Sequence, residues 1–292
     1  MSVTLQNGVL TAVIDELGAQ LCSLKTADGT ERIWQADPKV WGRHAPLLFP
    51  VIGRLKDSRY TLGGKTYEIG SHGFARDSIF TVGSRSDSSA SFVLRESPET
   101  LAMWPFPFVL TVTFTLLDNR LVKTCLVENP GGETMYYEIG SHDGFRAALE
   151  PGEVMADYAV TIPGVDALHP YGMDETAMMT PKERELPLTD GRIDLKPMTY
   201  GLDTIVLDEF STKSVRLVDK SGKARVTLDF DGFPYLGLWT MDMEQDTNYV
   251  CLEPWSTLPD ATFVGRGLED KAGICTLAPG AARTHSYTVT FG

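Results

Sequence analysis

Closely spaced turn signals divide this chain into short segments of strand-like sequence. Asn7-Gly8 and Asp28-Gly29 are residue pairs that two-residue β-hairpin loops favour, because these loops require positive φ angles, and Gly63-Gly64 serves the same purpose. The segments on either side of these pairs are residues 3–6, 9–14, 20–26, 31–34, 59–62 and 65–69. Short strands in close succession, separated by turns, predict antiparallel sheets.

The same pattern continues along the chain and predicts an all-β protein. Further strand-like segments are residues 80–83, 91–95, 109–116, 121–127, 135–139, 204–207, 214–219, 224–230, 235–239, 249–252, 274–277 and 285–291. A short helix is predicted at residues 98–104, where Pro105 and Pro107 stop it. The alternation weakens between residues 146 and 200. Since no linker or compositional break interrupts the sequence, we predict a single antiparallel sandwich domain over residues 1–292.

The charge and composition of the chain exclude several classes of partner. A net charge of −13 disfavours nucleic acid and anionic membranes, since both bind a basic protein face. No apolar segment approaches the ~18 residues of a membrane-spanning helix, and no secretion signal opens the sequence. The cysteines stand singly, which favours reduced buried thiols over disulfides or a metal site. We therefore expect a cytoplasmic protein that binds a small molecule.

Two segments of the sequence are nearly the same. Glu-Ile-Gly-Ser-His ends at His72 and again at His142, and Gly-Phe follows closely in both cases. Glycines let a ligand approach the backbone, and a histidine can exchange protons near neutral pH, although ordinary turn chemistry would give the same repetition by coincidence. A third segment places Glu253 two residues before Trp255. Two histidines, a carboxylate and an aromatic surface together indicate an acid–base site for a sugar.

Further motifs occur in order along nearly the whole chain. They are Trp34-Gln35-Ala36-Asp37, Ala45-Pro46-Leu47-Leu48-Phe49-Pro50, Gly53-Arg54, His72-Gly73-Phe74-Ala75-Arg76, His142 with Gly144-Phe145, and Leu252-Glu253-Pro254-Trp255. This combination resembles the aldose 1-epimerase (mutarotase) superfamily and, within it, the bacterial LacX-like branch. The resemblance implies an all-β, antiparallel, galactose mutarotase-like β-supersandwich whose broad concave face holds the sugar. It also implies an isomerase that interconverts the α and β anomers of an aldohexose.

The resemblance further implies roles for individual side chains. Glu253 would be the general base and His142 the general acid, while His72 and Arg54 would bind and polarise the sugar. Asp203 stands where the family often places a carboxylate for sugar hydroxyls. No metal or cofactor is expected, because ring opening and closure require only proton transfers. The expected assembly is a monomer or a homodimer.

Other residues are interpreted from their own chemistry. Trp255 offers a flat apolar face to a pyranose ring. Arg54 ends the run 46–54, whose apolar part 46–52 is a predicted buried strand that would either deliver the arginine to a cleft or let it reach solvent. Arg76 would clamp the sugar or pair with a carboxylate such as Asp77. His44, His169 and His285 are interpreted as loop or strand-surface positions, and Glu68 and Glu138 as surface or ladder residues of their strands.

The sequence departs from the family at Asp143, where LacX-like proteins usually carry proline. A carboxylate that met His142 would raise the pKa of the imidazole, and it could also bind a different sugar hydroxyl. Successive residues on a strand point to opposite faces, so Asp143 could equally point away from the site. The departure bears on the identity of the sugar more than on the type of reaction.

Two other functions are compatible with these residues. A hexose-6-phosphate 1-epimerase on the same scaffold would use Arg43, Arg54 or Arg76 to neutralise the phosphate. A non-catalytic sugar-binding protein would keep the same side chains as hydrogen-bonding groups. Retention of both histidines and the glutamate favours an enzyme over a binding protein.

Overall fold

The structure is a computed structural model, which describes residues 1–176, 178–182, 185–195, 204–241, 247–262, 265 and 267–292. Strands dominate this part of the chain, and the predicted all-β, antiparallel fold is confirmed. The strands up to residue 146 are β1 Ser2–Gln6, β2 Leu10–Asp15, β3 Gln20–Thr26, β4 Leu47–Leu48, β5 Arg59–Leu62, β6 Lys65–Glu68, β7 Thr81–Arg85, β8 Ser89–Arg95, β9 Val109–Leu117, β10 Arg120–Glu128, β11 Met135–Tyr137, β12 Gly140–Ser141 and β13 Asp143–Arg146. The later strands are β14 Ala159–Thr161, β15 Ala167–Leu168, β16 Gly172–Met173, β17 Met179–Thr180, β18 Leu186–Pro187, β19 Arg192–Asp194, β20 Thr204–Leu207, β21 Ser214–Val218, β22 Ala224–Asp229, β23 Tyr235–Trp239, β24 Tyr249–Trp255, β25 Cys275–Leu277 and β26 Ala282–Phe291.

Antiparallel pairing joins most of these strands into two extended sheets, as far as the described residues define them. The larger sheet follows the order β19-β14-β21-β22-β26-β10-β9-β8-β7. The second sheet follows the order β20-β23-β24-β12-β4, and β13 also pairs with β24. This second sheet brings the two sequence segments around His142 and Glu253 onto neighbouring strands.

Alternating side chains give the larger sheet its buried face. In β9 the apolar residues up to Leu116 are buried and the intervening threonines are half-buried, and β10 pairs with β9 in regular register. Phe92, Phe108 and Phe114 have no exposed surface, and burying each such ring stabilises the fold by roughly 1.5–3 kcal/mol. Lys123 is the exception on this face, because it is buried in the same row as Leu121. A buried lysine requires a buried partner.

Two predicted strands are shorter in the structure than in the sequence pattern. Residues 31–34 form only isolated bridges, because the Glu31 carboxylate accepts the backbone N–H groups of Leu24 and Ile33 at 2.9 and 3.0 Å in place of a strand partner. The apolar run 46–52 contributes only the two residues of β4. Pro46 and Pro50 lie on either side of β4, and proline has no N–H to donate to a sheet.

Helices play a minor part in the fold. The predicted helix at residues 98–104 is confirmed as α1 Pro98–Met103, and the Ser97 hydroxyl caps it by accepting the Thr100 N–H at 3.3 Å. Single 3-10 turns occupy Lys56–Ser58, Ala75–Asp77 and Met155–Asp157. Within the described residues, no helix has both the length and the apolar character needed to cross a membrane.

Candidate active site

The candidate site is built around the central strand of the second sheet. Every residue of β24 is buried, and alternation along this strand places Cys251, Glu253 and Trp255 on the same face. On the neighbouring strands, Gly140 pairs with Trp255 and Asp143 pairs with Leu252, so His142 lies beside Glu253. The distance from His142 Nε2 to Glu253 Oε1 is 3.3 Å. The structure therefore brings the predicted acid and base into direct contact.

Glycines on both flanking strands make room for the indole of Trp255. A Cβ atom at Gly140 would lie 2.8 Å from Trp255 Cδ1, and one at Gly237 would lie 2.7 Å from Trp255 Cζ2. Either contact is too close for a real side chain. Trp255 lines the cleft but is only 3% exposed, so most of its surface packs against protein and only a small part is available to a sugar.

His72 reaches the same cleft from a loop rather than from a strand. Its φ angle is 62°, and the backbone N–H of Gly53 donates to His72 Nδ1 at 3.1 Å. An accepting Nδ1 carries no proton, so the neutral ring carries its proton on Nε2. The rings of His72 and His142 lie 5.6 Å apart and nearly perpendicular. The two similar segments thus converge on one site, but with different backbone geometries.

Burial keeps both histidines of the cleft neutral. Desolvation lowers the pKa of His142 to about 3, and the Arg76 and Arg43 charges lower it further. Desolvation likewise lowers the pKa of His72 well below its usual value, and His142 and Arg76 add to the effect. An imidazolium in this site therefore needs a favourable negative charge beside it, and Glu253 is the nearest one.

Asp143 points away from the cleft, as one of the alternatives drawn from the sequence allowed. Its carboxylate accepts the Ser141 hydroxyl at 2.7 Å and the Tyr287 hydroxyl, and it lies 3.7 Å from Lys123 Nζ. Asp143 is 2% exposed. The alternatives in which Asp143 raises the pKa of His142 or binds a sugar hydroxyl are wrong, because this carboxylate is committed to the interior of the sandwich.

Three arginines of the described chain, Arg43, Arg54 and Arg76, line the cleft. Arg54 is exposed and makes no ion pair with any described residue. The Asp77 carboxylate contacts both Arg43, at 2.9 Å, and Arg76, at 3.5 Å. Desolvation and the neighbouring Arg43 charge lower the pKa of Arg76. Among the described residues, one carboxylate therefore faces two guanidinium groups, so positive charge is in excess at this side of the cleft.

The cleft has a volume of about 350 Å³ and a strongly aromatic wall. Trp41 lies 5.0 Å from the ring of His142 and 5.3 Å from Trp239, and it stacks on Tyr249 at 5.5 Å. The lining residues of the described chain are Trp41, Arg43, Pro46, Gly53, Arg54, Ser71, His72, Arg76, His142, Met173, Thr204, Trp239, Met241, Glu253, Trp255 and Pro259. Asp203, predicted to bind sugar hydroxyls, lies outside the described residues.

Several residues that sequence reasoning left out or placed on the surface have other positions. Trp239 ends β23 at the cleft. The available signal was its place at the end of the predicted strand 235–239, which precedes the predicted strand leading to Glu253. Glu138 is fully buried and is not a surface residue. In the interior its carboxylate contacts Lys271 and accepts the Ile52 N–H at 2.6 Å. His285 is also buried, and its Nε2 lies 2.8 Å from the Tyr137 hydroxyl.

We expect His285→Gln to weaken the pH dependence of stability. Desolvation lowers the pKa of His285 to about 4 in the folded protein, below the usual value near 6.5. Below pH 6.5 the unfolded chain therefore takes up a proton that the folded chain does not. Its contribution is present at pH 7 and falls with decreasing pH by about 1.4 kcal/mol per unit. Urea unfolding between pH 6 and 5, where the unfolded imidazole is mostly protonated and the folded one is not, should show a slope reduced by roughly that amount in the variant.

The control for this experiment is His169→Gln. His169 is exposed, and hydrogen bonding to Glu209 raises its pKa, so its linkage has the opposite sign. Its removal should not reduce the slope. Equal slopes for the wild type and His285→Gln would contradict the assignment of a buried neutral imidazole.

The sandwich and its cleft define a galactose mutarotase-like protein, which confirms the predicted fold. A galactose mutarotase related enzyme from Lactobacillus acidophilus has a TM-score of 0.93 at 33% identity, covering 100% of this chain and 97% of that chain. A galactose mutarotase-like protein from Lactobacillus casei has a TM-score of 0.92 at 30% identity, covering 100% of both chains. The chromosomal LacX protein of Lactococcus lactis subsp. lactis is 33% identical over 298 residues, which is 99% of each sequence.

The chain belongs to the aldose 1-epimerase family, whose sequence model matches residues 1–290. The resemblance to this family and to its LacX-like branch is thereby confirmed. The chain is a mutarotase-like member of a family of sugar epimerases, which are isomerases.

Proposed function

We propose that this protein is an aldose 1-epimerase that interconverts the α and β anomers of an aldohexose. The observation that carries the proposal is the 3.3 Å contact between His142 Nε2 and Glu253 Oε1 in a cleft of about 350 Å³. A cleft of this volume lies in the range of small-molecule sites, which is about 300–1,000 Å³. An acid and a base in contact inside such a cleft are the groups that ring opening requires.

The proposed reaction begins with Glu253 as the general base at the O1 hydroxyl. As Glu253 takes the O1 proton, His142 donates a proton to the ring oxygen, and the C1–O5 bond breaks. Rotation of the open aldehyde and the reverse transfers close the ring as the other anomer. His72, whose proton lies on Nε2, donates a hydrogen bond to a sugar oxygen, and Arg54 and Arg76 bind hydroxyl groups.

The reaction requires one mobile proton in the pair formed by Glu253 and His142. No net proton is consumed, because the proton that Glu253 receives from O1 is balanced by the one that His142 gives to O5. Burial disfavours the imidazolium, and the adjacent carboxylate favours it. We infer that His142 carries the mobile proton of this pair in the sugar complex, where hydroxyl groups fill the cleft.

Polarimetry on freshly dissolved α-aldoses tests the proposed function. The protein should accelerate the approach to the anomeric equilibrium above the spontaneous rate for at least one aldohexose. If the rate equals the spontaneous rate while titration shows that the sugar binds, the protein is a sugar-binding module.

A specific observation also favours a second candidate function, which is epimerisation of a phosphorylated hexose. Arg43, Arg54 and Arg76 all line the cleft, although the chain as a whole carries a net charge of −13. Guanidinium groups bind phosphate through charge-assisted hydrogen bonds. Neutral aldoses are our first choice, because Asp77 already contacts two of these arginines.

Arg54→Ala is expected to act on binding rather than on proton transfer. Loss of a charge-assisted hydrogen bond of about 1.5–3 kcal/mol should raise KM roughly tenfold or more and leave kcat almost unchanged. Steady-state polarimetry of glucose, galactose and glucose 6-phosphate measures both constants. Arg59→Ala is the control, since Arg59 is exposed and pairs with Glu68 on the β5–β6 hairpin. Competition by glucose 6-phosphate far below the effective concentrations of the neutral sugars, abolished by Arg54→Ala, would reverse the choice of substrate.

A further inference from the structure

A thiol that the proposed mechanism does not use lies next to the two groups that it does use. Cys251 precedes Glu253 by two residues on β24, and its strand position pairs with Gly144 of β13. One nitrogen of His142, the sulfur of Cys251 and one carboxylate oxygen of Glu253 all lie within 4.8 Å of one another. All three residues are buried. Sequence spacing predicts no metal site here, because His142 stands more than a hundred residues before the other two residues.

These donor atoms are the kind that bind zinc. Zn²⁺ prefers four ligands in a tetrahedral arrangement, drawn from cysteine, histidine and carboxylate side chains, and sites with three protein ligands keep one open position. A thiolate ligand favours Zn²⁺ and other thiophilic ions over Mg²⁺ and Ca²⁺, which prefer oxygen ligands. His142 and Glu253 line the cleft, so an ion can reach the cluster along the route that the sugar takes.

We propose that His142, Cys251 and Glu253 form a binding site for a thiophilic divalent cation of the zinc class. Occupation of this site removes a Glu253 oxygen and a His142 nitrogen from proton transfer. The cation therefore inhibits the reaction in competition with the sugar, and this second part rests on the proposed epimerase function. The site is inhibitory rather than a cofactor site, because ring opening needs only the two proton-transfer groups.

The surroundings of His142 indicate that the ion binds reversibly rather than as a permanent component. In resident metal sites the second ring nitrogen of a histidine ligand usually donates to a carboxylate or carbonyl, which orients the ring and raises its basicity. Among the described residues, His142 Nδ1 has no hydrogen-bond partner. The ring is held instead by packing against Trp41 and Trp239 at 5.0 and 5.1 Å.

Titration of the EDTA-dialysed protein with Co²⁺ tests the site without reference to activity. Co²⁺ bound by a thiolate gives a near-ultraviolet charge-transfer band, and four-coordinate Co²⁺ gives strong visible bands. Both should appear in the wild type, be displaced by Zn²⁺, and disappear in Cys251→Ala. Cys22→Ala is the matched control, because Cys22 is a more exposed thiol on β3, and it should keep both bands.

Polarimetry supplies the second readout. The EDTA-dialysed wild type should be active, and Zn²⁺ should inhibit it with an apparent increase in the KM for the sugar. In Cys251→Ala the concentration of Zn²⁺ for half-inhibition should rise by about tenfold or more, because one of three ligands is lost. Cys251→Ser provides the same comparison if the alanine variant does not fold.

Three results would overturn the proposal: wild-type protein that shows no thiolate band, a band that survives in Cys251→Ala, or Zn²⁺ inhibition that is unchanged in that variant. A Zn²⁺-soaked crystal gives a further check, since anomalous density should lie about 2.3 Å from sulfur and about 2.0–2.1 Å from nitrogen. If the wild type is inactive but the Cys251-dependent band forms, the metal site stands and the epimerase proposal fails. If the enzyme is active but binds no Co²⁺, only the metal site fails.

Discussion

Glu253→Gln is expected to lower kcat by about 10²-fold or more and to leave KM nearly unchanged. Glutamine keeps the shape and hydrogen-bonding capacity of glutamate, but it cannot accept the O1 proton. Because the sugar still binds, the loss falls on the transition state rather than on the ground state. Anomer equilibration followed by optical rotation, with the spontaneous rate subtracted, measures both constants.

His142→Asn should cause a similar loss, because one proton relay needs both of its ends. The double variant should therefore lose far less than the product of the two single losses. Fully multiplicative losses would show that the two groups act independently. Glu68→Gln is the control, since this exposed carboxylate pairs with Arg59 away from the cleft, and it should keep the wild-type constants. If the wild type and Glu253→Gln both match the spontaneous rate while sugar binds, the epimerase proposal fails.

The strands were predictable where local chemistry alone determines them. Gly63-Gly64 is the two-residue loop of its hairpin, with Leu62 paired with Lys65, because the turn and the alternation indicate the same register. The strands next to Asn7-Gly8 also match the prediction to within a residue, but Gln6 pairs with Thr11, so residues 7–10 connect them. Residues 31–34 were not predictable in this way. The Glu31 side chain takes over backbone donors of Leu24 and Ile33, and a strand pattern carries no information about such a contact.

The members of the candidate site could be named from the sequence, but their environments could not. His72, His142 and Glu253 stand in recognisable motifs, and the structure brings them into one cleft. The lowering of the His142 pKa depends instead on burial by segments that are distant in sequence, such as the one that carries Trp41. The position of Cys251 next to His142 likewise depends on the pairing of β13 with β24.

The buried charges behind His142 were the least accessible to sequence reasoning. Glu138 opens the second histidine motif and Asp143 follows it, and each contacts a lysine on another segment of the chain, Lys271 and Lys123 respectively. An isolated sequence shows the carboxylates but not what they face. The substitution of a proline by Asp143 therefore reads as a change in the site, whereas its contacts lie in the core of the sandwich.

Lys123→Met is expected to lower the free energy of unfolding by about 3–5 kcal/mol, because it leaves the Asp143 carboxylate buried without its cation. Lys123 and Asp143 are 1% and 2% exposed, and their charges lie 3.7 Å apart with the Ser141 hydroxyl between them. Asp143→Asn should be similarly destabilising, since it leaves the ammonium unpaired. Urea unfolding at pH 7 measures both variants.

The double variant Lys123→Met/Asp143→Asn should be more stable than the sum of the single losses predicts. Methionine replaces the alkyl chain of the lysine, and asparagine keeps an oxygen for the Ser141 and Tyr287 hydroxyls, so no charge is left buried. The matched control is the exposed pair of Arg59 and Glu68, for which Arg59→Met should cost less than about 1 kcal/mol. Additive losses at Lys123 and Asp143 would contradict the buried pair. A fall in kcat for Asp143→Asn without a loss of stability would instead return this carboxylate to the active site.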